Sequence, residues 1–193
     1  MLSFKESLKI LKETNALLEG HFILSSGLHS SQYVQCAQLL SKPEKAVKIC
    51  ESLANKIKNE FDNFDLILAP AMGGIVIGYE IGRLLGKETI FSERVNGIFK
   101  LRRDFVIKKD SKVLIIEDVI TTGKSSIECS KIVSDANAKI VGYACIINRS
   151  GGTSKIKDKI VSQVDLDIPT FESHKLPEAL KALKAIKPGS REL

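Results

Sequence analysis

The most informative hydrophobic pattern in this chain is the run VLII at residues 113–116. Its apolar positions do not alternate with polar ones, which predicts a strand buried on both faces, as in a parallel sheet covered by helices. Glu117 and Asp118 follow directly, and the hydroxyl-rich loop TTGKS at residues 121–125 then leads into a segment with helical spacing. Ligands of open α/β sheets bind beyond the carboxyl ends of the strands, so we expect a binding site here.

The hydrophobic pattern elsewhere predicts further strands and helices. Ser3 and Glu6 form a capping box, which predicts a helix at the start of the chain. Residues 64–86 predict a strand, a glycine loop and a helix. Asn96-Gly97 is a type I′ turn signal and predicts a hairpin.

The predicted fold class is α/β, with a parallel sheet flanked by helices on both faces. This prediction follows from the repeated alternation of strands and helices between residues 64 and 150. The two ends of the chain do not fit the alternation, and we expect them to form a small hood. The chain is thus predicted to be a single domain over residues 1–193, with a core at about 41–169 and a hood from about 1–40 and 170–193.

Charge and cysteine content narrow the expected partners and compartment. The chain has 29 Lys and Arg against 23 Asp and Glu, and the net charge of +6 favours anionic partners. There is no long basic run and aromatic residues are only 6%, so a small phosphorylated substrate is favoured over nucleic acid. Four cysteines without a CxxC pair predict buried free thiols and a reducing cytoplasm. No apolar segment is long enough to cross a bilayer, so no membrane partner is expected.

The tripeptide Gly123-Lys124-Ser125 resembles the end of a P-loop, the phosphate-binding loop of nucleoside triphosphatases. That motif requires a glycine five positions before Gly123, where this chain has Asp118. A side chain at this position would block the close approach of the backbone to phosphate. The sequence therefore argues against a nucleoside triphosphatase.

The stretch VLIIEDVITTGKS at residues 113–125 resembles instead the phosphoribosyl pyrophosphate motif of type I phosphoribosyltransferases. The resemblance implies that Glu117 and Asp118 bind the ribose hydroxyls and stabilise the positive charge that develops at C1 as pyrophosphate leaves. It also implies that the aliphatic pair Val119 and Ile120 belongs to the binding site. The loop implied to hold the 5-phosphate consists of Thr121, Thr122, Gly123, Lys124 and Ser125. The alternative is a pair of acids that only caps a strand end, although acids on a buried run need a reason.

A second loop is implied to hold the pyrophosphate. It has the sequence AMGG at residues 71–74 and follows the strand of residues 64–70. The resemblance implies that Ala71, Met72 and Gly73 line the pyrophosphate. By itself, a glycine pair after a strand more often marks tight packing of a strand on a helix.

The base is implied by segments outside the motif. Residues 21–33, HFILSSGLHSSQY, which include Ser26, resemble the N-terminal segment of the family members that use orotate. Residues 187–191, KPGSR, resemble the C-terminal segment of one bacterial branch of those members. Arg149 follows a strand, and the resemblance implies that its guanidinium binds the carboxylate of orotate. A surface arginine at a strand end is the alternative.

The predicted mobile loop departs from the better-known branch of the family. Arg94 is present, but Val95 stands where that branch has a lysine, and Gly73 replaces another of its lysines. The local candidates for the missing cations are Lys100, Arg102 and Arg103, of which we predict Lys100 to be catalytic. The resemblance implies that this loop reaches into a partner subunit, which predicts a homodimer with shared active sites. A solvated, charged hairpin is the alternative.

The expected reaction is the transfer of phosphoribose from phosphoribosyl pyrophosphate to N1 of orotate. The resemblance implies Mg²⁺ as the cofactor, held mostly by substrate and water oxygens rather than by a dedicated protein metal site. One rival is a purine phosphoribosyltransferase, against which Arg149 and the segment at 21–33 argue, because purines carry no carboxylate. The other is a regulator that senses phosphoribosyl pyrophosphate and binds nucleic acid, which should carry an added domain or a basic stripe.

Overall fold

The computed structural model describes residues 1–24 and 26–188. Its centre is a six-stranded sheet, parallel except for one edge strand. In spatial order the strands are β5 (Ile98–Leu101), β4 (Glu88–Val95), β3 (Leu66–Pro70), β6 (Lys112–Ile120), β7 (Lys139–Asn148) and β8 (Ile160–Asp165). Because β3 and β6 are parallel neighbours, the loops that follow them lie at the same edge of the sheet.

The edge strand β5 confirms the predicted hairpin. It pairs antiparallel with β4, and Val95 lies opposite Ile98, so Asn96 and Gly97 form a two-residue turn. Their φ angles of 52° and 81° are both positive, as a type I′ turn requires. Glycine and asparagine tolerate this conformation better than other residues, which explains how two positions determine the turn.

Helices cover both faces of the sheet, which confirms the predicted α/β class. On one face, α1 (Phe4–Glu13), α3 (Pro43–Glu60) and α4 (Gly73–Leu85) pack against alternate residues such as Ile67, Leu114 and Ile116. On the other face, α5 (Lys124–Asp135) packs against the residues between them, including Leu68, Val113 and Ile115. The run at residues 113–116 is therefore buried on both sides, as its lack of alternation predicts.

The N-terminal helix begins as its capping box predicts. The Ser3 hydroxyl accepts a hydrogen bond from the Glu6 amide, and the Glu6 carboxylate accepts one from the Ser3 amide. The helix packs onto the main sheet, where Gln163 of β8 donates to the Ser7 hydroxyl at 2.8 Å. The first helix thus belongs to the same hydrophobic cluster as α3 and α4.

A second, three-stranded sheet joins the two ends of the chain. Its strands are β1 (Leu17–Ile23), β2 (His29–Val34) and β9 (Thr170–Phe171), in the order β1-β2-β9. The segment after β9 returns to β1, because Ile23 donates its amide to the Ile186 carbonyl at 2.8 Å. The exact limits of hood and core stay a prediction.

Three short helices complete the described structure: α2 (Ala37–Leu40), the 3₁₀ turn Ser173–Lys175 and α6 (Glu178–Lys181). All four cysteines are buried free thiols, as predicted. Within residues 1–24 and 26–188, no helix combines the length and apolar character needed to cross a membrane.

Candidate active site

The residues of the motif lie where β6 leaves the sheet. Glu117 and Asp118 lie near the carboxyl end of β6, and the loop of residues 121–123 connects the strand to α5. The glycine loop after β3 lies beside them, because Gly73 lies directly against the Asp118 carboxylate, and the Ala71 amide donates to the Ser92 carbonyl of β4 at 2.8 Å. The two loops predicted to hold phosphate and pyrophosphate are thus neighbours at one edge of the sheet.

Gly73 lies directly against Asp118. A Cβ atom at residue 73 would lie 2.6 Å from the Asp118 Oδ1 atom, which is closer than any real Cβ contact. Residue 73, the first residue of α4, therefore has no room for a side chain, because the carboxylate of Asp118 occupies that space. The amino end of a helix carries partial positive charge, which favours an anion at this position.

Glu117 is a partly buried carboxyl group with a hydrogen-bond donor. The Ser126 hydroxyl donates to the Glu117 Oε2 atom at 2.5 Å. Burial raises the pKa of Glu117 to about 7, an effect that Asp118 reinforces and that Ser126, Ser125 and Arg94 oppose. The group therefore lies near the midpoint of its titration at neutral pH.

Asp118 is also more buried than an ordinary surface acid. Burial raises the pKa of Asp118 above its ordinary value, while hydrogen bonds with the backbone at Val119 and Asp118 act in the opposite direction. No lysine or arginine among the described residues forms an ion pair with either Glu117 or Asp118. Two adjacent carboxyl groups without ion-pair partners are a suitable site for hydroxyl donors or for developing positive charge.

The loop after β6 forms the amino end of α5. Gly123 has a φ angle of 75°, and a Cβ atom there would lie 2.7 Å from the Ile156 side chain, so both backbone and packing require glycine. The Thr122 carbonyl accepts from the Lys155 amide at 3.2 Å. Thr121 and Lys124 are exposed. A loop of this kind at the start of a helix is a common anion site.

The aliphatic pair between the acids and this loop packs into the core. Val119 is partly buried against one hydrophobic cluster, and Ile120 is buried in the other. The Ile120 carbonyl accepts from the Arg149 amide at 2.9 Å. These two residues can therefore offer only their backbone to a ligand on the strand end.

Arg149 is a half-buried arginine without an acidic partner among the described residues. Burial lowers the pKa of its guanidinium, and Tyr33 of β2 is the nearby titratable group. Burying a cation without a counter-ion is unfavourable, so an anionic ligand would stabilise this arrangement. The influence of Tyr33 on this pKa shows that Arg149, directly after β7 of the main sheet, is near the small sheet.

The predicted loop cations differ in the groups with which they form ion pairs. Arg94 forms an ion pair with Glu128 at 2.6 Å and lies over the Phe99 ring at 4.1 Å. It also influences the pKa of Glu117, which places it near the carboxyl groups. Arg103 forms a two-bonded ion pair with Glu93.

Lys100 does not join the carboxyl groups within the described chain. Its neighbour Phe99 packs into the cluster beneath α5, so the alternation of β5 directs Lys100 to the solvent side. Arg102 is also exposed. A catalytic role for either residue stays a prediction.

Residues 21–33, the segment implied to select the base, include the end of β1, the turn at Ser26 and most of β2. The Ser26 hydroxyl accepts from the Leu28 amide at 3.4 Å. His21 and His29 lie close to this turn and share a hydrogen bond of 2.7 Å between ring nitrogens. Ser25 and residues 189–191 of the KPGSR segment lie outside the described residues.

Sequence reasoning missed two residues of this site. Ser126 stands one position beyond the motif, and only its adjacency to Ser125 could have drawn attention to it. Tyr33 lies inside the segment at 21–33, but nothing local connects it to Arg149. Both contacts join residues that are separated along the chain.

The comparisons with known proteins identify the family. The family model of the phosphoribosyl transferase domain matches residues 37–181. The orotate phosphoribosyltransferase of Rhizorhabdus wittichii is 45% identical over 181 residues, which are 93% of this chain and 92% of that relative.

Solved structures share the fold. The orotate phosphoribosyltransferase from Aeropyrum pernix has a TM-score of 0.71 at 21% identity, covering 82% of this chain and 92% of its own. The adenine phosphoribosyltransferase from Thermoanaerobacter pseudethanolicus has a TM-score of 0.61 at 17% identity, covering 70% of this chain and 88% of its own. Since enzymes for different bases share it, the fold alone does not select the base.

A parallel sheet with paired carboxyl groups and a phosphate-type loop at one strand end defines the type I phosphoribosyltransferase class. The chain belongs to the phosphoribosyltransferase family and, within it, to the orotate phosphoribosyltransferases. It is thus a pentosyltransferase of pyrimidine biosynthesis, and the predicted family and enzyme class are confirmed.

Proposed function

We propose that the edge formed by the ends of β3 and β6 carries out the transfer of phosphoribose from phosphoribosyl pyrophosphate to N1 of orotate. The C1–oxygen bond to pyrophosphate breaks, a bond from C1 to N1 forms, and the N1 proton leaves to pyrophosphate or water. The products are orotidine 5′-phosphate and pyrophosphate. The observation that carries this proposal is the pair of partly buried carboxyl groups, Glu117 and Asp118, that lack ion-pair partners among the described residues.

The two acids act on the ribose. Their oxygens accept hydrogen bonds from the ribose hydroxyls and lie on the side where C1 becomes positive. The carboxylate form of Glu117 is the active one, because a protonated carboxyl would neither attract this charge nor accept both hydroxyl bonds. Asp118 is held in place by contact with the start of α4 at Gly73.

The two loops hold the charged ends of the substrate. Residues 121–125 offer amides and hydroxyls at the start of α5 to the 5-phosphate. Ala71, Met72 and Gly73 offer backbone to the pyrophosphate, since the side chains there are apolar or absent. Arg94 and the exposed cations Lys100 and Arg102 supply positive charge nearby, the last two from the loop of this or a partner subunit.

Mg²⁺ fits this site as a companion of the substrate. The described residues contain no group of three or more His, Cys, Asp and Glu that could hold a metal ion by themselves. Oxygens of pyrophosphate, ribose and water would supply the coordination, and the ion would neutralise charge on the leaving group. Glu117 and Asp118 provide the negative surroundings that such a complex requires.

Orotate is held between the two sheets. The Arg149 guanidinium forms a fork that matches a carboxylate, and it lacks an acidic partner among the described residues. Tyr33 and the turn at Ser26 lie on the opposite side, in the small sheet. A purine has no carboxylate for Arg149, which favours orotate.

The enzyme acts as a homodimer in a reducing cytoplasm. Met72 of the pyrophosphate loop and Val76 and Tyr79 of the following helix α4 expose 80%, 51% and 67% of their surfaces. Exposed apolar side chains of this kind are suited to a protein interface. Sedimentation equilibrium of the protein and of Val76→Asp tests this, and a monomeric parent protein would contradict it. The buried free thiols support the reducing compartment.

A spectrophotometric assay tests the function. The protein is mixed with phosphoribosyl pyrophosphate and Mg²⁺ and with orotate, uracil, adenine or hypoxanthine in turn. Loss of absorbance with orotate alone is the expected result. Activity on a purine would contradict the role of Arg149 in binding the orotate carboxylate. No activity with any base would favour a regulator that senses phosphoribosyl pyrophosphate and binds nucleic acid.

A further inference from the structure

Several serines and threonines in or at the end of the helices of this protein donate to their own helix. Within the described residues, the hydroxyls of Thr14, Ser130 and Ser134 donate to carbonyls three or four positions earlier. Ser126 differs from these three residues, because its hydroxyl leaves α5 and donates to the Glu117 carboxyl at 2.5 Å. Ser126 is fully buried, so water does not compete for this bond.

The bond has the length expected of a hydroxyl that donates to a charged carboxylate. Glu117 is the partner that the structure gives the Ser126 hydroxyl. The bond engages the Oε2 atom of Glu117 and so restricts the orientation of its carboxyl group. A substrate hydroxyl would meet a carboxylate that is already oriented.

We propose that Ser126 is a positioning residue that keeps Glu117 in the ionised, oriented form needed for the reaction. The inference rests on the proposed role of Glu117 in binding ribose. Its basis is the geometry of a buried hydroxyl aimed from the third residue of α5 at the end of β6.

The Ser125 hydroxyl on α5 also lowers the pKa of Glu117, but it does so less than Ser126. The other groups around Glu117 oppose its ionisation, are engaged elsewhere or stay neutral. Asp118 on β6 opposes ionisation of Glu117, and Arg94 on β4 favours it but is engaged by Glu128 of α5. Cys129 on α5 and Cys145 on β7 also face Glu117. Burial raises the pKa of Cys129 to about 12, and that of Cys145 far above its ordinary value, so both thiols stay neutral.

The test is Ser126→Ala, with Ser134→Ala as the matched control. Ser134 lies on the same helix, is exposed, and bonds only to its own helix. Alanine favours helices, so Ser126→Ala should fold. Losing a donor to the charged form raises a carboxyl pKa, and we expect the Glu117 titration to move upward by about one pH unit.

The titration is read without activity. The side-chain carboxyl carbons of glutamate are labelled with ¹³C, and the Glu117 signal is identified by its absence in Glu117→Gln. An upward shift in Ser126→Ala and none in Ser134→Ala supports the proposal. An unchanged titration in Ser126→Ala overturns it, whatever reaction the protein catalyses.

The pH profile of kcat/KM for phosphoribosyl pyrophosphate gives a second measurement. We expect Ser126→Ala to lose about tenfold at pH 6 and to approach the parent protein at pH 9. Ser126→Thr, which keeps the hydroxyl, should restore the parent profile. An equal loss at every pH would indicate a structural role for Ser126 and contradict the proposal.

Discussion

The raised pKa of Glu117 predicts that the active site destabilises the fold at neutral and alkaline pH. The pKa is about 7 in the folded protein against 4.5 for an ordinary glutamate. The folded protein therefore holds this proton more tightly than the unfolded chain does. The resulting stabilisation is complete below pH 4.5 and is lost as the pH rises through 7.

The substitution Glu117→Gln removes this pH-dependent loss of stability. Glutamine keeps the size of the side chain and an oxygen that accepts from Ser126, but it never ionises. The difference between the two pKa values corresponds to about 3 kcal/mol. We expect the free energy of unfolding of Glu117→Gln, relative to the parent, to be about 3 kcal/mol higher at pH 8 than at pH 4.5.

Urea unfolding of both proteins at the two pH values measures this quantity. Glu88→Gln, at an exposed glutamate of β4, controls for replacing a carboxylate by an amide. The same advantage of Glu117→Gln at pH 4.5 and pH 8 would refute the reasoning. The variant should also lose phosphoribosyl transfer, so that a more stable protein is a less active one.

Two further predictions follow from contacts in the site. Arg149→Ala should raise the KM for orotate by about ten- to a hundredfold and the KM for phosphoribosyl pyrophosphate much less, because a charged hydrogen bond is worth about 1.5–3 kcal/mol. Steady-state kinetics measure both KM values, with the surface variant Arg83→Ala as the control. Equal effects on both substrates would contradict the role of Arg149. Gly73→Ala should displace the Asp118 carboxylate, since the new Cβ would lie 2.6 Å from its oxygen. We expect kcat to fall by about a hundredfold when the Asp118 carboxylate is displaced, while the melting temperature stays unchanged. A variant with full activity would show that this placement of Asp118 is not needed.

Local sequence decided the elements and the order of the loops. The run at 113–116 contains its own signal, because residues buried on both faces cannot alternate in polarity. The capping box of Ser3 and the turn at Asn96-Gly97 depend on residues within four positions of one another, and both are present. The long motif at 113–125 identified the family through residues that are contiguous in the chain.

Only the tertiary structure decided how the site is assembled. The closeness of Gly73 to Asp118 and the influence of Tyr33 on Arg149 depend on which strands are neighbours, and that order is not the order of the sequence. The bond of Ser126 to Glu117 depends on how α5 lies across β6. The pKa of Glu117 depends on how much water the surrounding chain excludes, which is a sum over many distant residues. The sequence therefore determined which groups are present, and the packing determined their distances and their charge.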